Sequence, residues 1–271
     1  MSFCAQCRSP IPPGFSYCSK FCSDAGTAYA QQIARQGTIK QRPASATPSV
    51  PSTRSSTLQG HAVLVCDIQE GHRHTVHHFE SVVATAVRMI RLARLFSIPV
   101  FLTVLHPNIY GSTVPEVLNE YNQLGPLQGG VFTKTRYFGN VPDLHTAIKQ
   151  QSITKVMICG LEAHISIQLT VFGLIPHGLG VHIILDGISS CNKEEIPVAV
   201  ALMRQMGAKG ERIFIATSET MAYSMMDSAD ESLLNSFIAM MRADKPAISS
   251  GVRNLLGGNK ISFVDDSEAV D

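Results

Sequence analysis

Residues 60–246 alternate between two hydrophobic periods, and this alternation constrains the fold more than any other feature of the chain. Continuous apolar runs rich in β-branched residues predict strands, and apolar residues recurring every three or four positions predict amphipathic helices. Apolar strands joined by such helices are typical of a parallel sheet covered on both faces. The sequence therefore predicts an α/β fold with three layers, α/β/α, and a mainly parallel sheet. The predicted strands cover 61–66, 99–105, 131–134, 155–159, 181–186 and 212–217, and the predicted helices cover 79–96, 142–151, 164–175, 194–207 and 230–242, with a short helical patch at PEVLNEY.

The composition is that of a soluble intracellular protein. The chain has 271 residues, of which 45% are hydrophobic, enough for one large domain and a small appendage. No apolar run approaches the ~18 residues that a membrane-spanning helix needs. The N-terminal stretch MSFCAQCRSP lacks the pattern of a signal peptide. We therefore expect the cytoplasm or another reducing compartment, with no transmembrane segment and no membrane partner.

Four cysteines near the N-terminus have the spacing of a structural zinc site. They follow the pattern C-x2-C-x10-C-x3-C, with Cys4, Cys7, Cys18 and Cys22 as the predicted ligands. Two close pairs joined by a turn-rich segment can place four sulfurs around one zinc ion. Because so short a segment has almost no core, metal binding would supply most of its folding free energy. The segment resembles small zinc ribbons and knuckles.

Composition divides the chain into four parts. They are a zinc knuckle or ribbon with a short helix (1–37), a linker rich in Pro, Ser and Thr (38–58), the α/β domain (59–246) and a flexible tail (247–271). Residues 1–58 carry six basic residues and one acidic residue, a net charge of +5, which suits an anionic partner such as a nucleic acid. Knuckles with few aromatic and basic residues between the cysteine pairs more often bind protein. We therefore expect a protein partner for the zinc element and keep a nucleic acid as the alternative.

Polar residues follow three of the predicted strands. Asp67 follows the first strand, Lys134 follows VFT, and the stretch GLEAHIS, which contains Ser166, follows KVMIC. In open parallel sheets the functional site lies beyond the carboxyl ends of the strands, where the strand order reverses. Alone, Asp67 could be a helix cap and Lys134 a surface residue, but their convergence predicts a site.

The wider pattern resembles the isochorismatase-like hydrolases, the cysteine hydrolase superfamily that includes nicotinamidases and carbamoylsarcosine amidases, and most closely its isochorismatase-domain-containing branch. The resemblance covers residues 60 to about 223. It is carried by VLVCDIQE at 63–70, IPVFLTVLHPNIYGSTVPE at 98–116, FTKTRYFGNVP at 132–142 and KVMICGLEAHISIQLTVFGLIPHGLGVHIILDGISS at 155–190. It implies a hydrolase fold, no cofactor at the hydrolase-like site, and a homo-oligomer.

The resemblance also implies a catalytic set. Asp67 and Lys134 match the proton-shuttling carboxylate and the lysine that activates the nucleophile, and the bond Leu161–Glu162 matches a cis peptide. The backbone N–H groups of Ile165 and Ser166 would hold an oxyanion. The nucleophile differs, because Ser166 stands where the family has a cysteine.

This difference leaves three interpretations open. The chain could be a pseudoenzyme, a ligand-binding or scaffold module tethered to the zinc element. It could be an active hydrolase of a small carbonyl or enol-ether metabolite that uses Asp67 as acid and Lys134 as its electrostatic partner. It could also be a slow acyl-transfer enzyme with Ser166 as nucleophile. Since an alcohol is a far weaker acid than a thiol, the sequence favours the first.

Other residues are candidates for the walls of the pocket. His106 follows a predicted strand at a position that faces the substrate by family resemblance, although a surface loop is the alternative. Tyr137 and Phe138 could form an apolar wall or pack in the core. The histidine-rich run GHRHTVHH at 71–78 is interpreted as an exposed loop rather than a metal site.

Overall fold

The computed structural model describes residues 2–3, 10–11, 58–135, 141–208 and 212–257. A short antiparallel pair, Ser2–Phe3 (β1) with Pro10–Ile11 (β2), precedes the main sheet in the chain. The main sheet has six strands, all paired in parallel. The predicted α/β class and parallel sheet are therefore confirmed. The strands are His61–Cys66 (β3), Val100–Leu105 (β4), Gln128–Lys134 (β5), Lys155–Leu161 (β6), Gly180–Ser189 (β7) and Ile213–Ala216 (β8).

The order of the strands creates one reversal point in the sheet. The spatial order is β5-β4-β3-β6-β7-β8, so the chain runs outward from β3 to β5 and then returns to the other side of β3. Beyond the carboxyl ends of β3 and β6, the connections leave in opposite directions and open a crevice. The two strands pair along their whole length, from His61 opposite Lys155 to Cys66 opposite Gly160.

Helices cover both faces of the sheet, because the strand residues that point to either face are apolar. The helices are Phe79–Leu95 (α1), Pro107–Tyr110 (α2), Pro115–Asn122 (α3), Pro142–Gln150 (α4), Gln168–Leu174 (α5), Glu195–Ala208 (α6), Ser218–Asp227 (α7) and Leu234–Leu256 (α8). One core contains Val63, Val65 and Met157 together with residues of α1, α3, α7 and α8. The other core contains Leu64 and Ile158 together with residues of α4, α5 and α6. These are the three layers predicted from the sequence.

The C-terminal boundary of the domain differs from the sequence-based prediction. We predicted a flexible tail from 247, but α8 continues to Leu256 through an internal proline, Pro246. The extension is stabilised because Ile248 and Leu255 are buried in the core that also contains α1. The helix α7 was not predicted, although Met221, Ala222 and Met225 are buried on one face at helical spacing.

Several predictions fall outside the described residues. They include the zinc ligands Cys4, Cys7, Cys18 and Cys22 and the pocket candidates Tyr137 and Phe138. In the ranges that the structure does describe, no three His, Cys, Asp or Glu side chains are grouped to hold a metal ion. No helix in these same ranges is long and apolar enough to cross a bilayer.

Candidate functional site

A buried ion pair lies at the carboxyl ends of the central strands. Lys134, the last residue of β5, places its Nζ 2.5 Å from Oδ2 of Asp67, which directly follows β3. Asp67 has a left-handed backbone conformation (φ 53°), which turns the chain sharply at the end of the strand. Thr103, on the intervening strand β4, donates its hydroxyl hydrogen to Asp67 Oδ1 at 2.8 Å. The structure thus brings together the two residues that sequence analysis selected from distant strands.

The environment of this pair points to a functional rather than a structural role. Both side chains are almost fully buried, and such a pair costs desolvation free energy that the mutual attraction barely repays. Among the described residues, Lys134 Nζ and Asp67 Oδ2 have no hydrogen-bond partner besides this contact. A lysine ammonium has three N–H donors. The remaining donors of Lys134 are therefore unsatisfied within the described part of the chain.

Ser166 lies on a tight turn beyond β6. A cis peptide joins Leu161 to Glu162, as the resemblance implied, and a π-helical turn, Ala163–Ile167, follows before α5 begins. Ser166 is 2% exposed. Gly160 lets β6 approach β3 just before this turn, since a Cβ atom there would lie 2.0 Å from the carbonyl oxygen of Cys66. The strand ends of β3 and β6 therefore carry Asp67 and the serine turn side by side.

The backbone N–H groups of the turn are partly engaged within it. Ile165 and Ile167 both donate to the carbonyl oxygen of Glu162, at 3.1 and 3.0 Å. An oxyanion bound by the Ile165 N–H would have to compete with this bond. The oxyanion role of Ile165 and Ser166 therefore stays a prediction.

No cysteine in the described part of the chain has an activated thiol. Burial raises the pKa of the Cys66 thiol to about 12 and raises the pKa of Cys159 as well. Cys191 is exposed, yet partial burial and a hydrogen bond with Glu162 raise the pKa of its thiol too. Since the thiolate is the reactive form, none of these thiols is activated as a nucleophile.

Comparison with known proteins identifies the family. The Isochorismatase domain matches residues 61–210. Isochorismatase domain-containing protein 2 of Homo sapiens is 36% identical over 203 residues, which is 74% of this chain and 92% of that protein. The 2A form of Mus musculus is 32% identical over 197 residues, covering 72% and 88%. The chain belongs to the isochorismatase family.

Solved structures confirm the isochorismatase-like fold. A protein from Trypanosoma cruzi described as hypothetical aligns with a TM-score of 0.61 at 23% identity, over 69% of this chain and 94% of that one. The MAR1 ribonuclease of Caenorhabditis elegans aligns with a TM-score of 0.53 at 24% identity, over 79% and 95%. The YcaC protein of Escherichia coli, described as an octameric hydrolase of unknown specificity, aligns with a TM-score of 0.54 at 18% identity, over 76% and 93%. At these identities the likeness concerns the fold alone.

One histidine of this isochorismatase-family chain lies where the sequence predicted an exposed loop. His72, in the short 3-10 turn after Asp67, is only 8% exposed and stacks on Tyr110, with 4.7 Å between ring centroids. Burial lowers its pKa, although the nearby carboxylates of Glu162 and Asp67 act in the opposite direction. His72 therefore stands as a neutral imidazole beside the site. The polar sequence around it gave no signal of burial, and His74 of the same run is exposed as expected.

Gln69 and Ser190 support the two halves of the site. The fully buried Gln69 accepts a hydrogen bond from the N–H of Leu105 (2.8 Å) and donates to its carbonyl oxygen (3.0 Å), which links the ends of β3 and β4. Ser190 accepts a hydrogen bond from the N–H of Ala163 at 3.0 Å and so anchors the serine turn to the end of β7. Sequence analysis missed both residues. Ser190 directly follows β7 and Gln69 lies shortly after β3, and these positions near strand ends were the only available signal.

The pocket candidate His106 lies at the same edge of the sheet. Its backbone is left-handed (φ 38°), and its N–H donates to the carbonyl oxygen of Lys134 at 2.8 Å. His106 thus ties the end of β4 to the residue that carries the ammonium group. One groove of the described structure lies away from this edge. Its volume is about 940 Å³, and it runs between α7 and α8 without including any of these site residues. The chemical arrangement, rather than groove size, marks the candidate site.

Proposed function

We propose that this isochorismatase-family chain binds a small carbonyl or enol-ether metabolite beside Asp67 and Lys134 without forming a covalent thioester with it. The proposal rests mainly on one observation: the buried ion pair between Asp67 and Lys134 is present together with a buried serine, Ser166, at the position that the family resemblance gives to the nucleophile. A ligand-binding or scaffold module needs the pocket but not the thiol. The chain is on this account a catalytically impaired hydrolase-fold protein.

The serine is poorly placed to replace the thiol. An alcohol needs a base within hydrogen-bond reach, and a lysine serves only when it is neutral. Lys134 is already engaged in a buried ion pair with the carboxylate of Asp67, so it is poorly placed to act as the base for Ser166. Slow acyl transfer through Ser166 is therefore the least supported of the three interpretations.

An active hydrolase is the second candidate, and the preserved Asp67–Lys134 pair favours it. An enol ether can be cleaved by general acid catalysis alone, with no nucleophilic side chain. Asp67 would then donate the proton, and Lys134 would steady the charge that develops on the substrate. This role requires Asp67 to carry a proton when it acts.

Restoring the thiol tests whether the pocket is intact. We expect Ser166→Cys to be alkylated by acrylamide, the ligand bound covalently in a YcaC structure from Pseudomonas aeruginosa. Both the natural chain and the variant would carry Cys191→Ser, which removes the exposed thiol, and the adduct would be located by peptide mass spectrometry. Lys134→Gln should slow the alkylation by at least about tenfold, because the ammonium group no longer favours the thiolate.

The outcomes separate the candidates. An inert Ser166→Cys variant that remains folded by circular dichroism would contradict a retained pocket. Rapid labelling, with no turnover of amide, ester or enol-ether substrates by the natural chain, supports the ligand-binding module. Turnover by the natural chain that is lost in Asp67→Asn would instead favour the acid-catalysed hydrolase.

A second proposal concerns the N-terminal segment and its four cysteines. We propose that Cys4, Cys7, Cys18 and Cys22 bind one structural zinc ion and that this element docks to a protein, with a nucleic acid as the alternative partner. The full chain should contain about one zinc per molecule by elemental analysis, as expected for a four-thiolate site. The double variant Cys4→Ser, Cys7→Ser should lose it. Cys191→Ser is the matched control and should retain the metal, so equal zinc loss in this variant would contradict the assignment. Intact thiol ligands fit the cytoplasm or another reducing compartment.

The chain is also proposed to form a homo-oligomer. The support is the octameric state in the description of the Escherichia coli YcaC protein, which shares the fold.

A further inference from the structure

The groove between α7 and α8 exposes apolar side chains that no other part of the described structure covers. Tyr223 of α7 and Leu234 of α8 line it and are 55% and 38% exposed. Its floor includes the buried residues Phe237 and Met241, and the ring of Phe237 meets that of Tyr223 edge-on, with 5.2 Å between centroids. An exposed groove lined by aromatic and methionine side chains is typical of a surface that binds a peptide segment.

The chain itself supplies a segment of suitable composition. Residues 258–271, GNKISFVDDSEAVD, follow directly on α8, the helix that forms one wall of the groove. They contain one compact apolar run, ISFV at 261–264. Gly257 and Gly258 precede it, and glycines after a helix allow the chain to reverse its direction because they adopt backbone conformations that other residues avoid.

The apolar run is long enough to reach the groove. Phe263 comes seven residues after Leu256, the last residue of α8, and an extended segment of this length spans up to about 24 Å. On α8 the groove extends back from Lys245, which a rise of 1.5 Å per residue places about 17 Å from Leu256 along the helix axis. Met241 lies about 22 Å away on the same basis. The run 261–264 can therefore lie along this part of α8.

The charges of the groove favour this segment and set its direction. Arg242, on the α8 wall, is exposed and is not ion-paired with any residue in the described ranges. Asp265 and Asp266 follow the apolar run directly, so a bound run brings them towards Arg242. The acidic groove residues Asp227 and Glu231 lie at the other end, where α7 passes into α8. Since an exposed ion pair contributes little free energy, these charges orient the segment and the apolar contacts hold it.

We propose that residues 261–264 of the same chain fold back along α8 and bind in the groove between α7 and α8. Contact of Phe263 and Val264 with Tyr223 and Leu234 removes apolar surface from water on both sides, which drives the binding. Because the segment is tethered to the end of α8, its binding is intramolecular and needs less intrinsic affinity than a separate peptide would. The groove includes none of the residues of the candidate site, so this proposal is independent of the proposed function.

A single tryptophan tests the proposal, because the natural chain contains none. Tyr223→Trp places the indole on the groove wall, where a bound tail shields it from water. Removing residues 258–271 from this variant should shift the emission maximum to longer wavelength and increase quenching by succinimide, a neutral quencher. Phe214→Trp is the matched control, since Phe214 is 57% exposed on the edge strand β8 and outside the groove, and truncation should leave its emission unchanged.

Substitutions in the tail of the full chain provide a second set that does not touch the folded domain. In the Tyr223→Trp background, Phe263→Asp should reproduce the effect of truncation, because an unpaired carboxylate is not buried against apolar side chains. Ser267→Asp, outside the apolar run, is the control and should leave the emission unchanged. If truncation and Phe263→Asp both leave emission and quenching unchanged, the proposal is overturned. Shielding that disappears on dilution, together with a halved mass by light scattering, would show that the segment comes from a second copy and would overturn binding within one chain.

Discussion

At the scale of single residues, Ser166 and His72 define the chemistry of the site. Ser166 places a buried hydroxyl group in the turn that follows β6. His72 adds a buried imidazole that burial keeps neutral near Asp67 and Glu162. A neutral imidazole both donates and accepts a hydrogen bond. A hydroxyl and a neutral imidazole suit the recognition of an uncharged polar ligand.

Gly160 is a single residue on which the geometry of the site depends. Its φ is 130°, and an added Cβ would meet the backbone of Cys66 on the neighbouring strand. We expect Gly160→Ala to lower the free energy of unfolding by more than about 3 kcal/mol, because strand backbone must move. The measurement is urea denaturation. Gly178→Ala is the matched control, since Gly178 also has a positive φ (76°) but open space around it, and it should cost only about 1 kcal/mol. Equal losses in both variants would show that the contact with β3 is unimportant.

At the scale of the elements, the central strands and most of the helices were predictable, whereas α7 and the end of α8 were not. β3, β6 and β7 are largely buried on both faces, so their sequences are mostly apolar and easily recognised. The strand β5 begins at Gln128, before the predicted start at 131, because an edge strand includes exposed and glycine residues. The end of α8 was missed because Pro246 and the serines after it resemble a helix terminus, while burial of Ile248 and Leu255 extends the helix.

In the candidate site, the residues at strand ends were predictable from the sequence and the residues buried by loop packing were not. Asp67, Lys134 and Ser166 could be selected because each follows or ends an apolar run, and parallel strands bring such positions to one edge. His72 and Gln69 could not, because their burial depends on how the loops after β3 and β4 pack on each other. The pairing of strands is encoded locally in hydrophobic runs, whereas loop packing depends on contacts between segments far apart in sequence.

At the scale of the whole molecule, buried histidines make stability depend on pH. Burial lowers the pKa of His182 on β7 from its ordinary value of 6.5 to about 4, with the charges of His61 and Lys155 acting in the same direction. Neither ring nitrogen of His182 has a hydrogen-bond partner in the described structure, and the ring lies 4.9 Å from that of Phe214. The pKa values of His61, His72 and His77 are also lowered, mainly by burial.

These shifts set the sign of the pH dependence. Since the unfolded chain binds protons at His182 near pH 6.5 and the folded chain only near pH 4, the unfolded state holds more protons between these values. The free energy of unfolding should therefore be highest above pH 6.5 and fall as the pH is lowered towards 4. Urea denaturation at a series of pH values measures this slope. His182→Leu should lower the number of protons taken up on unfolding by up to about one, since one titrating group is removed. If the slope of the variant equals that of the natural chain, His182 does not couple folding to pH, and the other buried histidines must carry whatever slope is observed.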